Sequence, residues 1–497
     1  MKRFLISLAA EVMAAVLAFA QNPAQQYVNE LAGRAPLKDA VWGVLAKDAS
    51  GKVLVEYNSN TLMLPASNMK LITTGCALLD LGPDYRFKTS IGYTGNIDEE
   101  GTLKGDLYII GGGDPTLLTR DSIAVSMAGV FRTWRRYMQQ AGIKAIDGRV
   151  VGDGRLWDAQ LESGSWNWDD VGTWYGTGGN ALSFYANALD FSEQIGKKGE
   201  PVPLTQTFPE TPWVHLSNHT RMAGPRTGNS IFLYTTDLAP YAELRGTLAT
   251  DRRPKPEHFA NKWGAMTCAC YFWKDLTDSG FKVSGGYADI DHDGLIRTGE
   301  DWVSHEKAGA PEVIGTFSSP ALSRIALATN CRSDNFYAES MLRAMGYKAT
   351  GSVQYDSCYV AERAVLRRLG MPVAGLNIVD GSGLARRNYV TPAFMVEYLR
   401  KMQGTPVWKP FLESLPRPGG NGTLKVVLQK APQELKDRIR MKSGSMDGVL
   451  CYSGYILPPD CSTDGGVITF SILTNNCTAD FYVVREAITH ILELLAQ

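Results

Sequence analysis

The chain has 497 residues, 44% of them hydrophobic and 20% charged, enough apolar material to bury at least two cores, so two or three domains are expected. Fifty Lys and Arg against 51 Asp and Glu leave a net charge of -1, which argues against a nucleic-acid binder or a polybasic membrane-surface protein. The eight cysteines lack paired C-x-x-C spacing and the six histidines contain no H-E-x-x-H, so neither a zinc protease nor a histidine-based triad is suggested.

At the start, Lys2-Arg3 precedes a mostly apolar run from Phe4 to Phe19, interrupted by Glu11, and Ala18-Phe19-Ala20 stands before Gln21. This predicts a secretory signal peptide over residues 1–20 and export of the mature chain to the bacterial periplasm or cell envelope. No later stretch reaches the roughly 18 consecutive apolar residues of a membrane span, so no transmembrane segment is expected in the mature chain.

Gln26 to Ala32 reads as a short helix. Two apolar-rich runs, Ala40 to Ala46 and Val53 to Tyr57, flank the turn Asp48-Ala49-Ser50-Gly51 and predict a β-hairpin. From Met69, apolar residues recur at Ile72, Cys76 and Leu79 until Leu81-Gly82-Pro83 stops the pattern, which places Ser67 at a helix N-terminus.

Residues 86–309 have a different, turn-rich texture and read as an insertion into the first domain. Within it, Asp289, Asp291, Asp293, Gly294 and Glu300 fit the spacing of a calcium loop, with an ordinary acidic turn as the other reading.

Near the end, Gly448 to Leu457 and Gly466 to Thr474 predict paired strands, and Phe481 to Leu495 an amphipathic helix with Val484, Ile488, Ile491 and Leu495 on one face. A hairpin first, with strands and a helix last, predicts one antiparallel sheet built from both ends of the chain. Cys451 and Cys461, flanking a possible hairpin over Tyr452 to Asp460, are the first candidates for a disulfide; the alternative is small buried residues.

Three short elements used by serine acyl-transfer enzymes that lack histidine occur in order: Ser67-Asn68-Met69-Lys70, Ser333-Asp334-Asn335 and Lys442-Ser443-Gly444. Residues three apart on a helix face the same way, so the Lys70 amine can reach the Ser67 hydroxyl. A serine needs a base to take its proton, and a lysine serves only if burial and neighbouring positive charge, here from Lys442, lower its pKa. Ser333 is expected to pass a proton between Lys70 and the leaving amine, and Asn335 to bond substrate and Lys70. The backbone N–H groups of Ser67 and Ser445 are expected to hold the oxyanion, and Gly444 to leave room for substrate along the edge strand.

With these motifs, the chain resembles the low-molecular-mass class C penicillin-binding proteins, the D-Ala-D-Ala carboxypeptidase/endopeptidase family. Further matching segments are Leu64-Pro65-Ala66-Ser67, Gly111-Gly112-Gly113-Asp114-Pro115-Thr116-Leu117, Asn180-Ala181-Leu182-Ser183-Phe184, Arg245-Gly246-Thr247-Leu248, Ser333 to Glu339, and Asp380-Gly381-Ser382-Gly383-Leu384. The resemblance implies an α+β fold: a penicillin-recognising, β-lactamase-like domain (an antiparallel sheet flanked by helices), with two smaller domains nested in an insertion. The implied boundaries are 21–85 with 310–497 for the catalytic domain, 86–190 with 251–309 for the second and 191–250 for the third.

It also implies peptidoglycan stem peptides as substrate, an acyl-serine intermediate, β-lactams as covalent inhibitors, and no required cofactor or metal. Ser443 and Ser445 stand where the family usually has threonine, and both keep a hydroxyl for the substrate's terminal carboxylate. By resemblance, Asp153 and Arg386, with Leu384 and Met446 beside them, would grip the free end of a diaminopimelyl side chain. Two rivals remain open on sequence: a serine β-lactamase or esterase on the same fold, against which the absence of an E-x-x-L-N element counts, and a non-catalytic envelope-binding scaffold.

Overall fold

The computed structural model describes residues 22–497 except 32, 158–159, 300–305 and 464. The expected signal peptide lies outside the described residues. Among those described, no helix is long and apolar enough to cross a membrane.

The two ends of the chain build one antiparallel five-stranded sheet in the order Val53–Tyr57, Val41–Lys47, Ile468–Asn475, Val449–Ile456, Ile439–Met446. Val44 stands opposite Ile472, and Ser453 opposite both Ser471 and Lys442. Val449–Ile456 is buried at every position because both faces of the sheet are covered. On one face lie the first helix among the described residues, Pro23–Leu31, and the last, Phe481–Leu495. Their Val28, Leu31, Ile488 and Ile491 pack with Trp42, Val44 and Ile472 of the sheet. Each such side chain, taken out of water, contributes about 1.5–3 kcal/mol.

The other face carries the helices Met69–Leu81, Leu322–Arg332, Asn335–Thr350 and Pro392–Gln403, whose apolar sides form the larger core. Local chemistry sets their ends. Thr391 caps the last of these through Phe394 N at 3.0 Å, with Pro392 at the first helical position, where its missing N–H costs nothing.

Residues between these helices form a second body. Its six-stranded sheet runs Ile296–Thr298, Tyr287–Ile290, Val150–Asp153, Leu107–Ile110, Lys88–Tyr93, Glu312–Ser318. Helices Met127–Gln140 and Gly264–Asp278 cover it, with Phe131, Trp134 and Phe272 in mutual ring contact. A four-stranded sheet, Lys282–Val283, Ala145–Asp147, Thr102–Lys104, Asn96–Ile97, and three further small sheets, all within residues 188–260, complete it. The chain leaves and returns side by side: Phe87 N donates to Ser319 Oγ and Ser319 N to Phe87 O, both at 3.0 Å.

Two alternatives left open by the sequence resolve here. Cys451 and Cys461 are unpaired, as are the other six cysteines. Tyr452 to Ile456 continues one strand rather than turning back, so about 16 Å of strand separates Cys451 from the strand's end, against the 4.4–6.8 Å between Cα atoms that a disulfide spans. The calcium reading also fails where it can be followed. Arg297 occupies both oxygens of Asp289 at 2.8 and 2.7 Å, and Asp291 Oδ1 accepts the amides of Asp293 and Leu295 in a tight turn between strands. Glu300 lies outside the described residues, and among those described no His, Cys, Asp or Glu cluster is arranged to hold a metal.

Candidate active site

Ser67 sits in a short 3-10 turn, Ala66–Asn68, that feeds the helix Met69–Leu81 and lies against the outer strand Ile439–Met446. Ala66 is held at φ 46°, a left-handed conformation rare outside glycine. Asn68 anchors the turn to the sheet through Ser453 Oγ at 2.9 Å, which bonds Ser471 Oγ at 2.9 Å. Gly444 has a different job from the one expected: a Cβ there would stand 2.6 Å from Pro65 O and 2.9 Å from Ser67 N. The missing side chain makes room for the serine turn itself.

Lys70, wholly buried, places Nζ 3.0 Å from Ser67 Oγ, 2.6 Å from Asn335 Oδ1 and 2.7 Å from the Ser382 carbonyl. Burial lowers its pKa to about 8, although the Asp380, Glu339 and Asp334 carboxylates pull the other way. Two of its partners can only accept, and the third is a hydroxyl. A neutral amine satisfies all three at once, donating twice and accepting the Ser67 proton on its lone pair.

The second motif is a helix junction. Ser333 ends the helix Leu322–Arg332 in a left-handed conformation, φ 61°, and Asp334 caps the next helix through Tyr337 N at 3.0 Å. This sharp turn brings Ser333 and Asn335 to the same cleft. Asn335 donates its amide to Tyr175 O at 2.9 Å.

Ser333 does not reach Lys70 as expected. Its Oγ accepts from Lys442 Nζ at 2.9 Å, and Lys442 also donates to Ser443 O at 2.7 Å. Lys442, equally buried, is pushed well below the usual lysine range by desolvation and then by the Lys70 charge. Ser443 Oγ lies 2.9 Å from Thr423 Oγ1.

The cleft, of about 310 Å³, is lined by Ser67, Ser333, Asn335, Leu384, Arg386, Ser445 and Met446, as the motifs suggested, and also by Asp170, Trp174, Tyr175, Arg332, Gly383 and Asp447. Asp153 is not among them. It sits at the end of a buried strand with both oxygens bonded to Arg155, at 2.9 and 2.7 Å. Two carboxylates line the cleft, Asp447 and Asp170, the latter raised in pKa by burial first and then by Asp169. Arg386 lies at the rim beside Asp447, 3.8 Å between charged atoms.

Sequence reasoning missed the groups that hold this arrangement. Glu339 accepts the amides of Gly381 and Ser382, the latter at 2.8 Å, and so aims the Ser382 carbonyl at Lys70. Burial and the neighbouring Asp380 push the Glu339 carboxyl upward. Asp380 gathers donors from Gly383, Ala385, Asn388 and Trp166, all at 2.7–2.9 Å. Gly383, at φ 82°, lies so close to Ala66 that any Cβ would overlap its carbonyl. The signal available was the Asp-Gly-Ser-Gly composition, a turn signature that does not say what the turn supports.

Comparison with known proteins agrees with the geometry. A D-alanyl-D-alanine carboxypeptidase of an Actinomadura species is 28% identical over 451 residues, covering 88% of this chain and 78% of that protein. The D-alanyl-D-alanine carboxypeptidase DacB of Haemophilus influenzae is 24% identical over 450 residues, 86% of this chain and 85% of that one. The fold matches the crystal structure of penicillin binding protein 4 (dacB) from Haemophilus influenzae with a TM-score of 0.77 at 22% identity, over 94% of this chain and 98% of the other, as the expected α+β penicillin-recognising architecture requires. The description "D-Ala-D-Ala carboxypeptidase 3 (S13) family" matches residues 24–497, and the chain belongs to that family of serine-type peptidases.

Proposed function

We propose that this protein is a DD-carboxypeptidase, a DD-endopeptidase or both, of the cell envelope, acting through an acyl-Ser67 intermediate on D-Ala-D-Ala termini or D,D-crosslinks of peptidoglycan. The observation that carries the reading is the Ser67–Lys70 contact, with Lys70 lowered to about 8 and its other partners fixed as acceptors. Ser67 Oγ attacks the carbonyl of the penultimate D-Ala as its proton passes to Lys70. The oxyanion forms between the Ser67 and Ser445 amides, and the proton gained by Lys70 is relayed through Lys442 and Ser333 to the departing amine. Water then releases the acyl group. The hydroxyls of Ser443 and Ser445 meet the terminal carboxylate, and a β-lactam, which mimics the same dipeptide, acylates the same serine.

The test is the intact mass of the protein after incubation with benzylpenicillin, followed over time and across pH. A single lasting adduct is expected. Its rate of formation should fall roughly tenfold per pH unit below a midpoint near 8, because the ammonium form of Lys70 cannot accept a proton. Rapid release of the adduct would indicate a β-lactamase, no reaction a scaffold, and a rate flat from pH 6 to 9 would remove Lys70 as the base.

For the stem side chain, Asp170 takes the role first assigned to Asp153: with Asp447 it faces an ammonium, while Arg386 faces a carboxylate. Arg386→Ala is expected to lower kcat/KM about tenfold on diaminopimelyl stem peptides and to leave lysyl stems, which lack that carboxylate, within twofold. An unchanged preference would remove Arg386 from substrate recognition.

A further inference from the structure

A second cavity, of about 380 Å³, adjoins the cleft. Arg332 and Trp174 line both, so one guanidinium and one half-exposed indole form the ridge between them. Arg332 immediately precedes Ser333, the group that hands a proton to the departing amine. The second cavity therefore opens from the leaving-group side of the reaction.

Its wall is held in an unusual backbone shape. Tyr185, Ala186 and Asn187 are consecutive left-handed residues, φ 55°, 53° and 52°, an arrangement that non-glycine residues rarely adopt. The buried Asn187 secures it by accepting Phe184 N on its side chain at 3.3 Å and Asn261 N on its carbonyl at 2.8 Å. Tyr185 and Ala186 are thereby presented to the cavity.

The charges on the wall are of both signs and largely paired, with Asp334 a third carboxylate beside Asp121 and Asp190. Asp121 is paired with Arg332 and bonded by the Tyr337 hydroxyl, and Asp190 is bonded by the Tyr185 hydroxyl at 2.8 Å and lies 2.7 Å from His258 Nδ1. Arg120 lies over the Tyr185 and Phe208 rings at 4.9 Å from each, 3.6 Å from Asp190, with 67% of its side chain exposed. The wall thus offers aromatic faces beside paired charges of both signs, Arg120 the most exposed of them, which suits a zwitterionic peptide.

We propose that this cavity receives the second stem peptide of a D,D-crosslinked substrate, and so equips the enzyme for endopeptidase cleavage. The inference rests on the acyl-serine reading above. When the terminal D-Ala leaves, the departing amine is small and the cleft suffices. When a crosslink is cut, the Ser67 Oγ–carbonyl bond forms and the C–N bond breaks. The nitrogen takes its proton through Ser333, and the amine that departs carries an entire second stem, which must extend past Ser333 and Arg332. Water then regenerates the serine.

The test compares kcat/KM for a D,D-crosslinked muropeptide dimer and for a monomeric pentapeptide in wild type, Arg120→Glu and Ala188→Trp, the last filling the cavity from its wall. Both variants are expected to lose about tenfold or more on the dimer, with pentapeptide trimming and benzylpenicillin acylation, which also report folding, within twofold. Unchanged dimer cleavage in both variants would overturn the proposal, as would an equal loss on both substrates or a wild type that trims the pentapeptide but leaves the dimer intact. Failure of the wild type to form any adduct or cut either substrate would instead overturn the acyl-serine reading, and the proposal with it.

Discussion

Ser67→Ala is expected to form no adduct with benzylpenicillin and to cut D-Ala-D-Ala peptides about 10³-fold or more slowly than wild type, with little change in Tm. The size follows from what the hydroxyl does. Lys70, Lys442, Asn335 and the amides at Ser67 and Ser445 remain in place, yet neither Ser333 nor Ser445, the other serines lining the cleft, is hydrogen-bonded to Lys70 to replace the nucleophile. Only direct attack by water is left, and residual catalysis by oriented binding and the oxyanion amides is small beside the covalent route. Stability should scarcely change, because the Ser67 hydroxyl makes one hydrogen bond, to Lys70, worth about 1 kcal/mol. Intact mass and thermal melting on the same preparation check both halves. An adduct persisting in Ser67→Ala would place the nucleophile elsewhere.

The parts of this site that could be read from the sequence are those in which spacing alone sets geometry. Ser67 and Lys70 stand three residues apart at a helix start, so their contact is local and follows from helical pitch. The hairpin at Val41–Tyr57 and the strands at Val449–Ile456 and Ile468–Asn475 announce themselves by runs of apolar residues. What was illegible depends on side chains meeting across long stretches of chain. Asp153 carried the expected residue type, but Arg155 two residues later takes both its oxygens, whereas Asp170, in the short helix Trp168–Val171 without a motif, reaches the cleft.

Ser333 misled for a related reason: motif order says that Ser333, Lys70 and Lys442 converge, but not which lysine the hydroxyl reaches. Gly444 likewise reads as a space left for substrate, until the Ser67 turn is seen to fill it. The calcium template failed because pattern matching does not see Arg297, a cation already bonded to Asp289.

Asp380→Asn is expected to destabilise the protein by about 3–5 kcal/mol, and the folded fraction that survives should acylate about 10²-fold more slowly. Asp380 has no exposure, and it organises the loop that carries Ser382. One oxygen accepts Gly383 N at 2.8 Å and Asn388 Nδ2 at 2.7 Å; the other accepts Ala385 N at 2.7 Å and Trp166 Nε1 at 2.9 Å. An asparagine in the same place must turn its NH₂ toward two of these donors, leaving them unsatisfied in a buried site. The loop then gives way, and with it the Ser382 carbonyl that orients Lys70.

A merely structural role would end there, but the charge supplies a separate signature. The Asp380 carboxylate is the first of the groups that hold the Lys70 pKa up against burial. Its loss should move the acylation midpoint below about 8 in the folded protein. Asn388→Ala, which removes one donor and keeps the charge, should cost about 1–2 kcal/mol and leave that midpoint where it is. Denaturant melts and the pH profile of benzylpenicillin acylation measure the two effects independently. An Asp380→Asn variant of wild-type stability, or one whose midpoint does not fall, would show that the carboxylate neither braces the loop nor sets the base.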